Sequence, residues 1–199
     1  MSGKPLAAIR AIIRQVLRDE VAEDLEWEDD ELDIHINECL LDISHACPYE
    51  VIETLNTTEG STELDISSIA NLLDIDEVEY PVGKTPKAMR SCNVFGNTLT
   101  IETDLSPAAN EDVYLYCHKV HQLTQSSSTL NANQERVLVL GVSGKAAIAK
   151  SRSLINKVNI GGAKVPGDMQ AWGINQLTLY RAGLNEITKP RIYISRSRA

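Results

Sequence analysis

The apolar residues of this chain change period twice, which excludes both an all-helical and an all-strand fold. Near the N-terminus Leu6, Ile9, Ile12, Ile13, Val16 and Leu17 recur at steps of three and four, the spacing of one helix face, with Arg10, Arg14 and Arg18 along its edge. A helix is expected over residues 5–24. A second should take Asp29 or Asp30 as its cap, align Leu32, Ile36, Cys39, Leu40 and Ile43, and stop before Pro48. Its acids fall in the first turn, where the helix dipole favours them.

Between Tyr49 and Val120 the period drops to two. Residues 49–55 and 62–66 read as strands around a turn at 56–60. Residues 75–80 alternate until Pro81 and Gly83, and 97–103 with 112–120 read as a long hairpin. A polar stretch, 122–129, leads back to helix. From Leu130 onward Val137, Leu140, Gly144, Ala147, Ser151, Leu154 and Val158 form a seam for another helix, with small residues that permit close backbone approach. Gly161-Gly162 and Pro166-Gly167 end it. Asp168 caps a last helix whose stripe is Met169, Trp172, Gln176, Leu179 or Tyr180, and Gly183. The expected class is α+β, a bundle of about four helices with a central antiparallel β-hairpin insertion and an extended C-terminal tail. Its parts are N-terminal helices at 1–48, a β insertion at 49–121, helices at 130–187 and a basic tail at 188–199.

Charge is segregated along the chain. From Asp19 to Glu79 there are 21 of the 28 carboxylates and no Lys or Arg, whereas the last 59 residues hold ten Lys or Arg against Asp168 and Glu186. The net charge is -9. An acidic stretch this dense repels itself unless something positive faces it, in this molecule or in another. The acidic balance disfavours general nucleic-acid binding. No signal peptide or membrane span is evident, because arginines interrupt the N-terminal apolar positions. Cys39, Cys47, Cys92 and Cys117 are scattered, as expected of free thiols in a reducing compartment.

Three tempting sites fail on spacing. Gly141-Val-Ser-Gly144-Lys145-Ala146 has two residues between its glycines and no Ser or Thr after the Lys, so it is not a phosphate loop. Ser143 is not in a nucleophile elbow. Cys117, His118 and His121, or His35 with Cys39, do not make a metal set; strand alternation puts Cys117 and His121 on one side and His118 on the other, a buried thiol among polar edge histidines. No enzyme activity, cofactor or metal is expected.

The order of pieces is similar to that of a known family. Trp27-Glu-Asp29-Asp-Glu31-Leu32 opens a helix continuing as Ile36-Asn37-Glu38. Val78-Glu-Tyr80-Pro81 lies in a sheet, Phe95-Gly96-Asn-Thr98-Leu99-Thr-Ile101 is answered by Val113-Tyr-Leu-Tyr116, and His121 closes that hairpin before a long helix. Over residues 27–185 this resembles the adaptor, or head-completion, proteins of tailed-bacteriophage head-to-tail connectors. The resemblance implies a structural virion protein, made in the host cytoplasm and placed in the neck. It implies a ring of about twelve copies under the portal protein, facing a stopper or tail-completion protein, with double-stranded DNA passing through unbound.

In that setting the basic segment, with Arg191, Ile192, Tyr193, Ile194, Arg196 and Arg198, would reach the portal, Ile192 and Ile194 alternating as in an added strand. The acids Asp24, Glu26, Glu28, Asp29, Asp30 and Glu31 would face the next subunit or the channel. The rival expectation is a small cytosolic binding or regulatory module whose basic tail contacts nucleic acid.

Overall fold

The structure, a computed structural model, describes residues 3–21, 25–154 and 166–188. The protein is mixed α+β, with four helices and two antiparallel sheets among the described residues. It divides into two units. Residues 1–47 and 121–199 make a helical unit, and 48–120 a β unit.

In the helical unit, α1 (Leu6–Leu17) starts after Pro5, whose fixed φ suits a helix start and whose carbonyl accepts the amides of Ala8 and Ile9. It is shorter than expected. Arg18 enters the left-handed region at φ 57 and its N–H returns to Arg14 and Gln15. Asp19 is buried and accepts the amides of Glu26 at 2.7 Å and Trp27 at 3.4 Å. The left-handed backbone cap at Arg18 therefore ends the helix short of the expected residue 24.

Helix α2 (Asp29–Ala46) is capped by Glu28, not by Asp29 or Asp30. Glu28 and Glu31 form a reciprocal capping box, while the Asp29 carboxylate is engaged by arginines of α1. The expected face is buried: Leu32, Ile36, Cys39, Leu40 and Ile43. Helix α3 (Ala132–Leu154) begins with a second reciprocal cap. Asn131 Oδ1 accepts the amides of Asn133 and Gln134, and Gln134 Oε1 accepts the Asn131 amide. Val158 lies outside the described residues.

Helix α4 (Pro166–Ile187) begins at Pro166, ahead of the expected Asp168 cap, and runs antiparallel to α3 on glycine contacts. A β-carbon on Gly183 would sit 2.8 Å from Val137 Cγ2, and one on Gly141 2.8 Å from the Tyr180 ring and from Cys39 Sγ. The small-residue seam is as expected, with Gly141 added to it. Of the two candidates for the stripe of α4, Tyr180 is buried and Leu179 exposed. Ile9, Ile13, Leu32, Ile43, Leu138 and Val142 are solvent-free in this core, each worth about 1.5–3 kcal/mol by burial.

The β unit differs from expectation in its pairing. Strands β1 (Tyr49–Asn56), β3 (Leu72–Glu79), β4 (Met89–Arg90) and β7 (Asp112–Lys119) form one sheet in the order β1-β7-β3-β4. Strands β2 (Glu63–Asp65), β5 (Cys92–Phe95) and β6 (Thr98–Ile101) form another in the order β2-β6-β5. Neither expected hairpin exists: β1 pairs with β7, and β2 and β6 pair with each other.

The turn after β1 explains this. The Thr57 amide reaches Glu111 O at 2.9 Å, its Oγ1 donates to Ala108 O at 2.5 Å, and Gly60 N–H reaches Pro107 O at 2.8 Å. The loop before β7 thus locks onto the loop after β1 and zips those strands together. The tight hairpin is β5 to β6, around Gly96 at φ 59 and Asn97. Leu64, Leu99, Val78, Val113 and Leu115 fill the core of this unit.

Candidate functional site

The acidic segment finds its first cations on α1. Arg10 forms a two-pronged pair with Asp33, its Nε 2.8 Å from Oδ1 and its Nη2 on Oδ2, and adds Asp29 through Nη1 at 2.9 Å. Arg14 bridges buried Asp19 at 2.5 Å and Asp29 at 2.7 Å. The Arg14 hydrogen bond holds the Asp29 carboxyl below its ordinary range, and the Asp33 hydrogen bond raises Arg10 further. One turn of α1 separates the two arginines, so helical spacing alone presents both to α2.

The other side of α2 meets α3 and α4. Lys145 donates to Glu38 at 3.0 Å and keeps that carboxyl low. Tyr180 donates to Asp42 at 3.0 Å; its hydroxyl is pushed up first by burial. Burial likewise pushes the Cys39 thiol up to about 11. Lys150 binds the Glu26 carbonyl and lies 5.6 Å from the centre of the Trp27 ring, whose Nε1 donates to Ala146 O at 3.3 Å.

Of the acids expected to form an outward face, Glu28 and Glu31 build the cap of α2 and Asp29 joins the arginine cluster. Asp30 is exposed and feels the charge of Arg10. Glu26 takes part through its main chain, and Asp24 lies outside the described residues. So do Arg191, Ile192, Tyr193, Ile194, Arg196 and Arg198.

Folding redraws the charge map. Residues 48–120 contain 13 Asp or Glu and 4 Lys or Arg, a net of -9. The residues of the helical unit contain 15 of each. The entire excess therefore belongs to the β unit, although the densest linear acid run lies in α2 and the loop before it. In the β unit, Glu79 is covered and ligated by Tyr116 Oη at 2.9 Å and Lys87 Nζ at 3.1 Å. Burial acts to raise its pKa, but the Lys87, Tyr116 and Gly83 hydrogen bonds outweigh it and leave the carboxyl low. Tyr80 donates to Glu111 at 2.5 Å and is pushed up to about 12 by burial and that neighbour. No spacing in the sequence pointed to either cluster, because both depend on strand register.

The rejected sites have structural roles. Gly141, Ser143, Gly144 and Lys145 are mid-helix in α3. Cys117 is buried on β7 as expected. His121 is not an edge histidine: it lies beyond β7, buried in the helical unit. Its Nδ1 is 2.9 Å from Thr129 Oγ1, its Nε2 2.9 Å from Cys47 O, and its amide donates to Ser44 Oγ at 2.9 Å. Among the described residues no three His, Cys, Asp or Glu side chains come together as a metal set, and no helix is long and apolar enough to cross a membrane. No protein-family model matches this chain, and a search of curated proteins finds no match.

Proposed function

We propose that the chain is a structural virion protein whose copies form an adaptor ring between the capsid portal and the tail, extending the DNA channel. Chain order carries the reading: two helices, a self-contained β unit, then two helices that complete the first helical core. On this reading the protein is a helical bundle with a β insertion and an extended basic tail, and the tail binds the portal. A ring needs two unlike patches on each subunit. The uneven charge supplies a natural difference, with a neutral helical unit and a β unit holding the whole -9. Exposed ion pairs are worth only about 0–1 kcal/mol each, so charge would set register while apolar helix faces hold copies together. Carboxylates facing a lumen would let DNA slide without gripping it.

Quantitative mass spectrometry of purified particles tests this. An adaptor is present at ring-like copy number, and absence from particles would sink the reading. Reversing Arg191, Arg196 and Arg198 should weaken docking on the portal, and unaltered docking would remove the role given to the tail.

A further inference from the structure

The chain carries one Phe, and the fold leaves it in solvent. Phe95 ends β5 beside the two-residue turn Gly96-Asn97 and is 89% exposed, next to exposed Val94. Phe is among the side chains most often buried, and aromatic side chains are enriched where proteins meet, so one held at a hairpin tip has the form of an anchor. Its place is fixed by pairing. Phe95 pairs with Thr98 across the turn, and Thr98 pairs with Asp65 of β2.

The helical unit carries an apolar groove. Ile12 and Val16 of α1 and Val139 and Leu140 of α3 line it, and its volume of about 370 Å³ is at the small end of ligand pockets, room for one aromatic side chain. Val16 is exposed there, and Ile12 and Leu140 are half-buried. Charge decides what fits. At the rim the Lys4 and Arg136 side chains are 51% and 60% exposed, whereas the acid of the lining, Glu135, is buried under its pair with Lys4. Arg136 meets Glu186 at 3.3 Å in a pair exposed on both sides, which holds it weakly. Residues 189–199, with four Lys or Arg and no acid, have the wrong sign for this rim. The sheet that carries Phe95 has the right one: β2, β5 and β6 contain Glu63 and Asp65 and no Lys or Arg. Asp65 is exposed, and accepting the Ser67 amide at 2.8 Å leaves its charge in place.

We infer that the Phe95 hairpin of one copy of this chain enters the groove between α1 and α3 of a second copy. Phe95 covers Ile12, Val16 and Leu140, and Asp65 comes to the side of the rim that holds Lys4 and Arg136. Hairpin and groove are different surfaces, so the contact is heterologous. A copy that gives its hairpin still offers its groove, and association continues past two copies. This deepens the adaptor-ring reading by naming its two unlike patches, and it rests on that reading only for closure into a ring. Particle composition tests the virion role; self-association of the purified chain tests this contact.

The experiment is analytical ultracentrifugation of the full chain at concentrations up to about 1 mM. The unaltered chain should form dimers and larger species. Phe95→Ser removes the anchor and Val16→Glu puts a charge in the groove, and each alone should weaken self-association at least about tenfold. An equimolar mixture of these two variants should form dimers and nothing larger, because one copy keeps only its groove and the other only its hairpin. Both positions are exposed, so circular dichroism should report an intact fold. Reversing Arg191, Arg196 and Arg198 should leave self-association in place; its loss would assign the groove to the basic segment and overturn the inference. No self-association of the unaltered chain by about 1 mM, Phe95→Ser associating as tightly as the unaltered chain, or a mixture no larger than its parts would each overturn it too.

Discussion

Gly144 of α3 and Gly173 of α4 face each other so closely that a methyl group on either would press on the other's carbonyl oxygen. A β-carbon on Gly144 would lie 3.0 Å from the Gly173 carbonyl oxygen, and one on Gly173 would lie 2.9 Å from the Gly144 carbonyl oxygen. Two backbones in contact cannot yield as a side chain can. Each glycine costs about 1 kcal/mol of helix propensity relative to Ala, so its place here is explained by packing.

Substituting at this contact gives a direct reading of it. Gly173→Ala should destabilise the chain by about 1–3 kcal/mol through overpacking, after a smaller propensity gain. Gly141→Ala should behave likewise, against the Tyr180 ring and Cys39 Sγ at 2.8 Å. Gly167→Ala, near the start of α4 with nothing within 4 Å, should leave stability unchanged or slightly raised. Thermal melts of the three variants check this, and similar losses in all three would contradict the seam.

The helical unit should weaken in acid. Asp29 and Glu38 titrate below their ordinary values because Arg14 and Lys145 bind their ionised forms. Unfolded carboxyls titrate near about 4, so the contribution of these pairs is complete above that pH and is lost as pH falls through the lower folded values. Both acids are half exposed, at 54% and 52%, and each pair is worth well under about 1 kcal/mol. Asp29→Asn should flatten the part of a stability-versus-pH curve below about pH 4, measured by urea unfolding.

Thiol chemistry should follow cover. Burial pushes Cys39 and Cys117 up to about 11, and Cys92, also raised by burial, is only partly covered. In the native chain at about pH 8 an alkylating reagent should mark Cys92 before Cys39 or Cys117, with all marked after unfolding. Peptide mass spectrometry reads the order, and early labelling of Cys39 would contradict its place between Gly141 and Tyr180.

Removing the imidazole of His121 should cost about 1–3 kcal/mol, because Cys47 O and Thr129 Oγ1 lose a buried partner. Guanidinium unfolding of His121→Ala checks the loss, and an unchanged midpoint would mean that the buried contacts are replaced by water.

Periodicity located the helices and five of the seven strands, missing the short β4 and β5, because Leu32 to Ile43 and Val113 to Cys117 bury what their spacing says they should. It could not give the pairing. Thr57 meeting Ala108 and Glu111 is a contact between two polar loops, and polar loops carry no period. The end of α1 rests on the left-handed turn at Arg18, and the capping of α2 by Glu28 depended on where Asp29 found donors. Linear charge counting misled for the same reason. The acids of α2 look unopposed along the sequence, yet Arg10, Arg14 and Lys145 arrive from other helices, and the true excess sits in the β unit.

The path of the chain sets an order of events during synthesis. The β unit is one uninterrupted stretch, so its core can close as soon as β7 has emerged. The first two helices must wait: Trp27 finds its hydrogen-bond partner Ala146 only 119 residues later. Until then the apolar faces of α1 and α2 stand uncovered beside the dense acids of the same segment, and mutual repulsion of those carboxylates keeps nascent chains apart while the second half of their core is being made.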